Sequence, residues 1–261
     1  MKNAVYRRCA TGAAALALAL ALGSAGCGSA EHKSSAASQV PGRATSEASG
    51  TAQKKAAPRV LTQDQLERAV VDERDLPGLS SSKTGVGTDG VGDGVIKALR
   101  DSDTHPATCA PVSDAVDGGS RYTPVGSVVR ISGNKDGMAT LSMASYRAQD
   151  AVRVVDDLRA ALKTCKAFTV GPLRVASNDV RATDDPPQGD DAVAFRLTHL
   201  METPEEETPL EVPAAFVVIR SGTTVAVFKA IEDRDHTLPK VPTGLVTAQS
   251  KVLSTGTHGV P

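Results

Sequence analysis

The sequence predicts an α+β domain: an antiparallel β-sheet with helices packed on one face, preceded by a signal peptide and a disordered tether. Three observations predict it. Residues 149–165 carry one apolar stripe at helical spacing. Residues 125–146 and 173–231 hold apolar, β-branched runs broken by turn signals. The order is helix, strands, long helix, a run of strands, then helix, which is the pattern of an antiparallel sheet flanked by helices. The chain has 261 residues, and 40% of them are hydrophobic. That is enough for a globular core and too little for a multi-span membrane protein.

The first segment reads as an address. Lys2, Arg7 and Arg8 form a positive start, and residues 9–26 carry no charge. Ala13 to Leu22 is almost wholly Ala and Leu, and Ser24-Ala25-Gly26-Cys27 follows. A basic start, an apolar stretch and small residues before a cut describe a secretory signal over residues 1–26. With Cys27 after Ala25-Gly26, the segment resembles a bacterial lipoprotein leader. That resemblance implies that the Cys27 thiol takes a diacylglycerol, that the leader is cut before it, and that acyl chains hold the protein on the outer face of the cell membrane. The family usually has Leu where Ser24 stands. A plain cleaved signal and an uncleaved anchor are the competing readings. The apolar stretch is short for a span of about 20 residues, which disfavours the anchor.

Residues 27–59 read as a lipidated, disordered tether. Gly28 to Pro58 is rich in Ala, Ser, Gly, Lys and Gln, with almost no large apolar residue to offset ordering entropy. Leader and tether each carry a charge of +3. The whole chain carries -1, which leaves -7 for residues 60–261. No global basic field points to nucleic acid, and seven aromatics with no Trp leave little for base stacking.

The domain is expected over residues 60–255, with 256–261 as a frayed tail. Thr62 and Gln65 form a capping box, and Leu61 with Leu66 a hydrophobic staple, for a helix running to about Arg74. Asp75-Leu76-Pro77-Gly78 stops it. Residues 80–95 read as a flexible loop. Gly85-x-Gly87-x-x-Gly90 matches a dinucleotide fingerprint only formally, because no apolar strand precedes it. Asp89 and Asp93 lack the spacing of a calcium loop. Val95 to Leu99 suggests a helical turn, and a short helix follows Cys109.

Val125–Ser132 and Met138–Tyr146 read as a hairpin around Gly133–Gly137. In the helix of residues 149–165, Ala151, Val155, Leu158, Leu162 and Cys165 recur at steps of four and three. Asp150, Arg153, Asp156, Asp157 and Arg159 lie largely off that stripe and read as a solvated face. Leu173–Ala182, Ala192–Leu200, Leu210–Arg220 and Thr223–Ile231 read as strands, with Ser221-Gly222 as a two-residue turn. Val246, Gln249, Val252 and Leu253 suggest a closing helix.

Cys9 leaves with the leader and Cys27 would carry lipid, so Cys109 and Cys165 remain. Two leftover cysteines in an exported domain most often pair. The chain-entropy model gives roughly 4 kcal/mol for closing such a loop. No Cys-x-x-Cys or His-x-x-x-His pattern supports a metal site, and no cofactor is expected.

Other chemistry is thin. No Ser sits in a Gly-x-Ser-x-Gly elbow. A triad of His199, Asp185 and some Ser has nothing in the sequence to select it. Asp184-Asp185 with Asp190-Asp191, and Glu202 with Glu205-Glu206-Glu207, read as solvated acidic turns, with weak divalent-cation binding as the alternative.

Several pieces together resemble a known group. They are Leu61-Thr62…Asp75-Leu76-Pro77-Gly78, Cys109-Ala-Pro, Leu162-Lys-Thr-Cys165, Gly189-Asp-Asp-Ala-Val-Ala-Phe195, and Val217-Val-Ile-Arg-Ser-Gly-Thr-Thr-Val-Ala-Val-Phe228. The arrangement resembles actinobacterial surface lipoproteins and the extracellular sensor domain of mycobacterial receptor serine/threonine kinases of the PknH type. The resemblance covers most of residues 60–253. It implies a sheet packed by helices and a cleft that takes a ligand, and it transfers no functional residue. Domains of that type carry more than one disulfide, whereas this chain allows one. Nothing here resembles the kinase itself.

Three functions follow as expectations. The first is a non-catalytic, membrane-anchored lipoprotein that binds a small-molecule or protein ligand in the cell envelope. The second is a carrier of a lipid or other hydrophobic molecule, which requires a large apolar pocket between helix 149–165 and the sheet. The third is a secreted hydrolase, which requires a nucleophile, base and orienter in one cleft.

Overall fold

The computed structural model describes residues 59–83, 103–171, 175–202, 208–231 and 238–255. The expected leader and the expected tether up to residue 58, the glycines at 85–90, the helical turn expected at 95–99 and the frayed tail expected at 256–261 lie outside the described residues.

Among the described residues, the strands are β1 (Ser80–Lys83), β2 (Thr104–His105), β3 (Gly126–Asn134), β4 (Gly137–Ser145), β5 (Phe168–Val170), β6 (Val175–Thr183), β7 (Asp191–Met201), β8 (Leu210–Ser221) and β9 (Thr224–Ile231). They form one sheet in the order β1-β3-β4-β9-β8-β7-β6-β5-β2. Every neighbouring pair is antiparallel. The helices are α1 (Gln63–Arg68), α2 (Ala110–Val116), α3 (Ala148–Leu162) and α4 (Thr243–Thr255).

The antiparallel α+β class stands, but the placement of the helices on one face does not. Two separate cores sandwich the sheet. On one side, α2 and α3 bury Val112, Val155, Leu158 and Leu162 against Val193, Phe195, Phe216, Val218 and Val227. On the other, α1 and α4 bury Leu66, Leu245 and Val246 against Leu141, Met143, Ile219, Ala226 and Phe228. The cause is visible in β8 and β9. Phe216 and Val218 face one core while Ala215 and Ile219 face the other. A strand apolar at consecutive positions exposes apolar surface on both faces, and each face needs a cover.

α3 forms as its periodicity dictates. Ala151, Val155, Leu158 and Leu162 are all buried, as is Cys165 just past its end. α1 has its capping box but stops at Arg68, six residues short of the expected end. The competitor is Gln249 on α4, which is fully buried. Its Oε1 accepts the Val71 N–H at 2.9 Å and its Nε2 donates to the Ala69 carbonyl at 2.7 Å. Those backbone groups point sideways into the core instead of continuing the helix.

The β3–β4 hairpin turns more tightly than expected, pairing Asn134 with Gly137 around Lys135-Asp136. The β8–β9 turn sits one residue later, with Ser221 opposite Thr224 and Gly222 at φ 59°. Gly supplies that left-handed conformation without a Cβ clash. Residues 80–83, expected in a loop, form the edge strand β1 on β3. Beyond its reach, the Gln63 carboxamide pairs with both backbone groups of Ser127, donating to the carbonyl at 2.8 Å and accepting from the N–H at 2.9 Å. A side chain thereby stands in for a strand and closes part of an open edge.

Gln249→Leu keeps the apolar volume but leaves the Val71 N–H and the Ala69 carbonyl unpaired in the core. We expect unfolding free energy, read by urea denaturation, to fall by about 3 kcal/mol. A change under about 0.5 kcal/mol would mean that the clamp contributes nothing.

Candidate functional site

Cys109 and Cys165 come together as expected. Cys109 ends a short 3-10 turn before α2, and Cys165 follows α3. They form a disulfide with a Cα–Cα distance of 5.2 Å, inside the core beneath these two helices. The bond joins the α2 and α3 segments, so the layer over this face is cross-linked as well as packed.

In the acidic stretch before β7, Asp184, Asp185 and Asp190 are exposed, as solvated turns require, and three of the four aspartates also make structural bonds. Asp185 accepts the Ala194 N–H at 3.0 Å. Asp190 accepts the Gly222 N–H at 2.7 Å and meets the Arg220 guanidinium at 3.3 Å, which holds the β8–β9 turn. Asp191 pairs with Arg159 of α3 at 2.6 Å and accepts the Ala192 N–H at 2.9 Å. Gly189 introduces the run at φ 75°, where a Cβ would lie 2.5 Å from the Arg220 carbonyl oxygen. No group of three or more metal-ligating side chains occurs among the described residues. Glu202 is exposed, and Glu205, Glu206 and Glu207 lie outside the described residues.

His199 and Asp185 do not meet. Asp185 is bonded at Ala194, five residues along β7 from His199, or about 17 Å of strand. His199 instead shares a hydrogen bond with Ser177 of β6, its Nδ1 lying 3.1 Å from Oγ. Its Nε2 is buried with no partner among the described residues. Burial pushes its pKa down to about 4, and the nearby Lys229 charge adds to the effect. Lys229 is itself lowered by burial, offset in part by Asp117. The imidazole is therefore neutral at physiological pH, and among the described residues no carboxylate orients it as a general base.

One small depression opens beside α2 and α3. Val154, Leu158, Val218 and Val227 line its apolar floor, and the rim carries Ser120, Arg121, Tyr122 and Asp157. Asp157 accepts from the Tyr122 hydroxyl at 2.7 Å and from the Arg121 guanidinium at 2.7 Å. Ser120 lies 3.2 Å from the Tyr146 hydroxyl. Its interior offers about 10 Å³, room for a single water. Among the described residues, Leu158, Leu162, Phe195 and Phe216 fill the space between α3 and the sheet, where a carrier requires a lipid-sized pocket. Sequence reasoning passed over Ser120-Arg121-Tyr122. The signal was slight, one Tyr in a polar loop, because Asp157 is 35 residues away.

No family model matches the chain, and no curated protein matches it. Among solved structures, it is similar to the extracellular domain of PknH from Mycobacterium tuberculosis, with a TM-score of 0.43 and 12% sequence identity. The match covers 76% of this chain and 97% of that one. The likeness transfers no residue role, ligand or activity.

The His199 environment makes a signed prediction. The unfolded chain binds a proton near pH 6.5, whereas the folded chain resists it down to about pH 4. Stability is therefore complete above pH 6.5 and declines as pH falls through this window. His199→Gln should flatten the decline in urea midpoints measured from pH 7 to 4. An unchanged slope would show that His199 is not its source.

Proposed function

We propose that this chain is a non-catalytic lipoprotein on the outer face of the cell membrane, whose domain binds a ligand or protein partner in the envelope. The observation that carries the reading is the buried Cys109–Cys165 disulfide. A structural disulfide in an ordinary domain favours an oxidising compartment. That agrees with a leader running from Lys2 to Gly26 before Cys27. Cys27 is then the attachment point, residues 28–58 the basic spacer, and residues 60–255 the working domain. No helix among the described residues is long and apolar enough to cross a membrane. In this reading acyl chains supply the attachment, at about 0.8 kcal/mol per buried methylene.

A binding role is favoured over catalysis by where the polar side chains go. Asp185, Asp190 and Asp191 hold backbone and arginine partners, and His199 is buried and neutral. No described cleft brings a nucleophile, a base and an orienter together.

Fractionation tests the anchor. The parent should sediment with membranes and Cys27→Ala should appear in the soluble fraction. Ser24→Leu, which restores the residue usual in lipoprotein leaders, should raise the lipidated fraction seen by intact mass. A Cys27→Ala variant that partitions as the parent does would overturn the proposal.

A further inference from the structure

β6 does not run straight past β7. Between Asn178 and Arg181 it shifts register in a β-bulge, and Asp179 within the bulge stands at φ 50°. Bulges bend a strand and re-aim the side chains beside them. The first pair after this one sets Arg181 opposite Arg196. Register partners point to the same face, and Arg196 is also the partner of Ala215, which belongs to the α1–α4 core. Both arginines therefore stand on the second face of the sheet. That core reaches β7 at Ala192 and takes nothing from β6, so the pair lies past its margin. Arg181 is exposed and Arg196 half-buried.

Like charges directly opposite on an antiparallel pair are destabilising, with Cβ atoms about 5 Å apart. The conflict is only half relieved. Arg181 meets Asp179 of the bulge at 3.2 Å. Arg196 makes no hydrogen bond or ion pair among the described residues. The other carboxylates of this region are engaged or distant. Asp185 accepts the Ala194 N–H and acts on Arg159. Glu211 shares the face but sits opposite Leu200, four residues along β8 from Ala215, or about 13 Å of strand. Two neutral hydrogen-bonding side chains lie closer. Asn178 and Thr198 are register partners on the same face, one pair before the arginines, and both are half-buried.

We propose that Arg181 and Arg196 hold the phosphate group of a soluble phosphate ester, with Asn178 and Thr198 beside it. Two planar guanidinium forks match the oxygens of a phosphate, and its charge of about −1.5 to −2 offsets two facing cations. The inference rests on the reading of the domain as a binding domain and names the chemistry of its ligand. A lipid headgroup is the other source of a phosphate. Charge argues against it, because residues 60–261 carry -7 and an anionic bilayer surface repels them.

The test uses the full lipidated protein in neutral detergent micelles at fixed ionic strength, read by titration calorimetry. The probes are inorganic phosphate and glycerol 3-phosphate, with chloride as the control anion. Both phosphates should bind saturably, with a Kd of about 1 mM that rises with salt. Arg196→Gln should weaken binding at least tenfold. In urea without phosphate it should be no less stable than the parent, because a like-charge contact is gone. Arg153→Gln, an exposed arginine of α3, should change nothing. Mixed micelles carrying phosphatidylglycerol should give no heat that depends on Arg196. Each opposite result would overturn the inference: no saturable phosphate binding, an unchanged affinity or a lowered urea midpoint in Arg196→Gln, an equal loss in Arg153→Gln, or an Arg196-dependent response to the lipid alone. None of these outcomes alters the Cys27→Ala fractionation, so the two readings fail separately.

Discussion

Burial of the central sheet on both faces is the constraint that the rest of this domain obeys. One cross-strand row, Val128–Met143–Ala226–Ile219–Ala192, lies in one core. The neighbouring row Val193–Val218–Val227 lies in the other. Each Val, Ile or Met in these rows gains about 1.5–3 kcal/mol on burial. Neither face can be left wet, so two helical layers are required. Each layer also carries a fastening that is not hydrophobic. The α2–α3 layer has the disulfide, and the α1–α4 layer has Gln249. Phe195 and Phe216 stack at 4.6 Å beneath α3 and tie β7 to β8 at the centre.

What could be read from the sequence follows the strength of the local signal. α3 was legible because a stripe at steps of three and four survives any tertiary context. The long strands were legible because β-branched runs between turn residues have few alternatives. The sheet edges were not. β1 is Ser-Ser-Ser-Lys, β2 has two residues and β5 alternates over only three, so none offers a pattern long enough to read. The helices on the second face were misplaced for a subtler reason. The consecutive apolar positions within residues 210–231 identify strands, but they also present apolar surface on both faces, which calls for a second helical layer. The early end of α1 depends on a partner 178 residues away, which no local rule reports.

The candidate site was legible in its parts and not in its geometry. The aspartates at 184, 185, 190 and 191 stood out as a cluster. The partners of three of them, the Ala194 N–H, the β8–β9 turn and Arg159, come from separate segments. Once those bonds are counted, the cluster is a brace for the start of β7. His199 likewise becomes a buried strand residue paired with Ser177. Among the described residues, the rim around Tyr122 borders a small depression, and Met201, Leu210 and Ile231 are exposed at strand ends.

Thiol counting reads leader, anchor and disulfide together. The chain has four cysteines. In the proposed mature form Cys9 is gone, Cys27 is alkylated, and Cys109 and Cys165 are joined. Protein extracted from its native cells under denaturing, non-reducing conditions and treated with a polymer-linked maleimide should gain no adduct. After reduction it should gain two. Adducts before reduction, or any count other than two after it, would contradict the account.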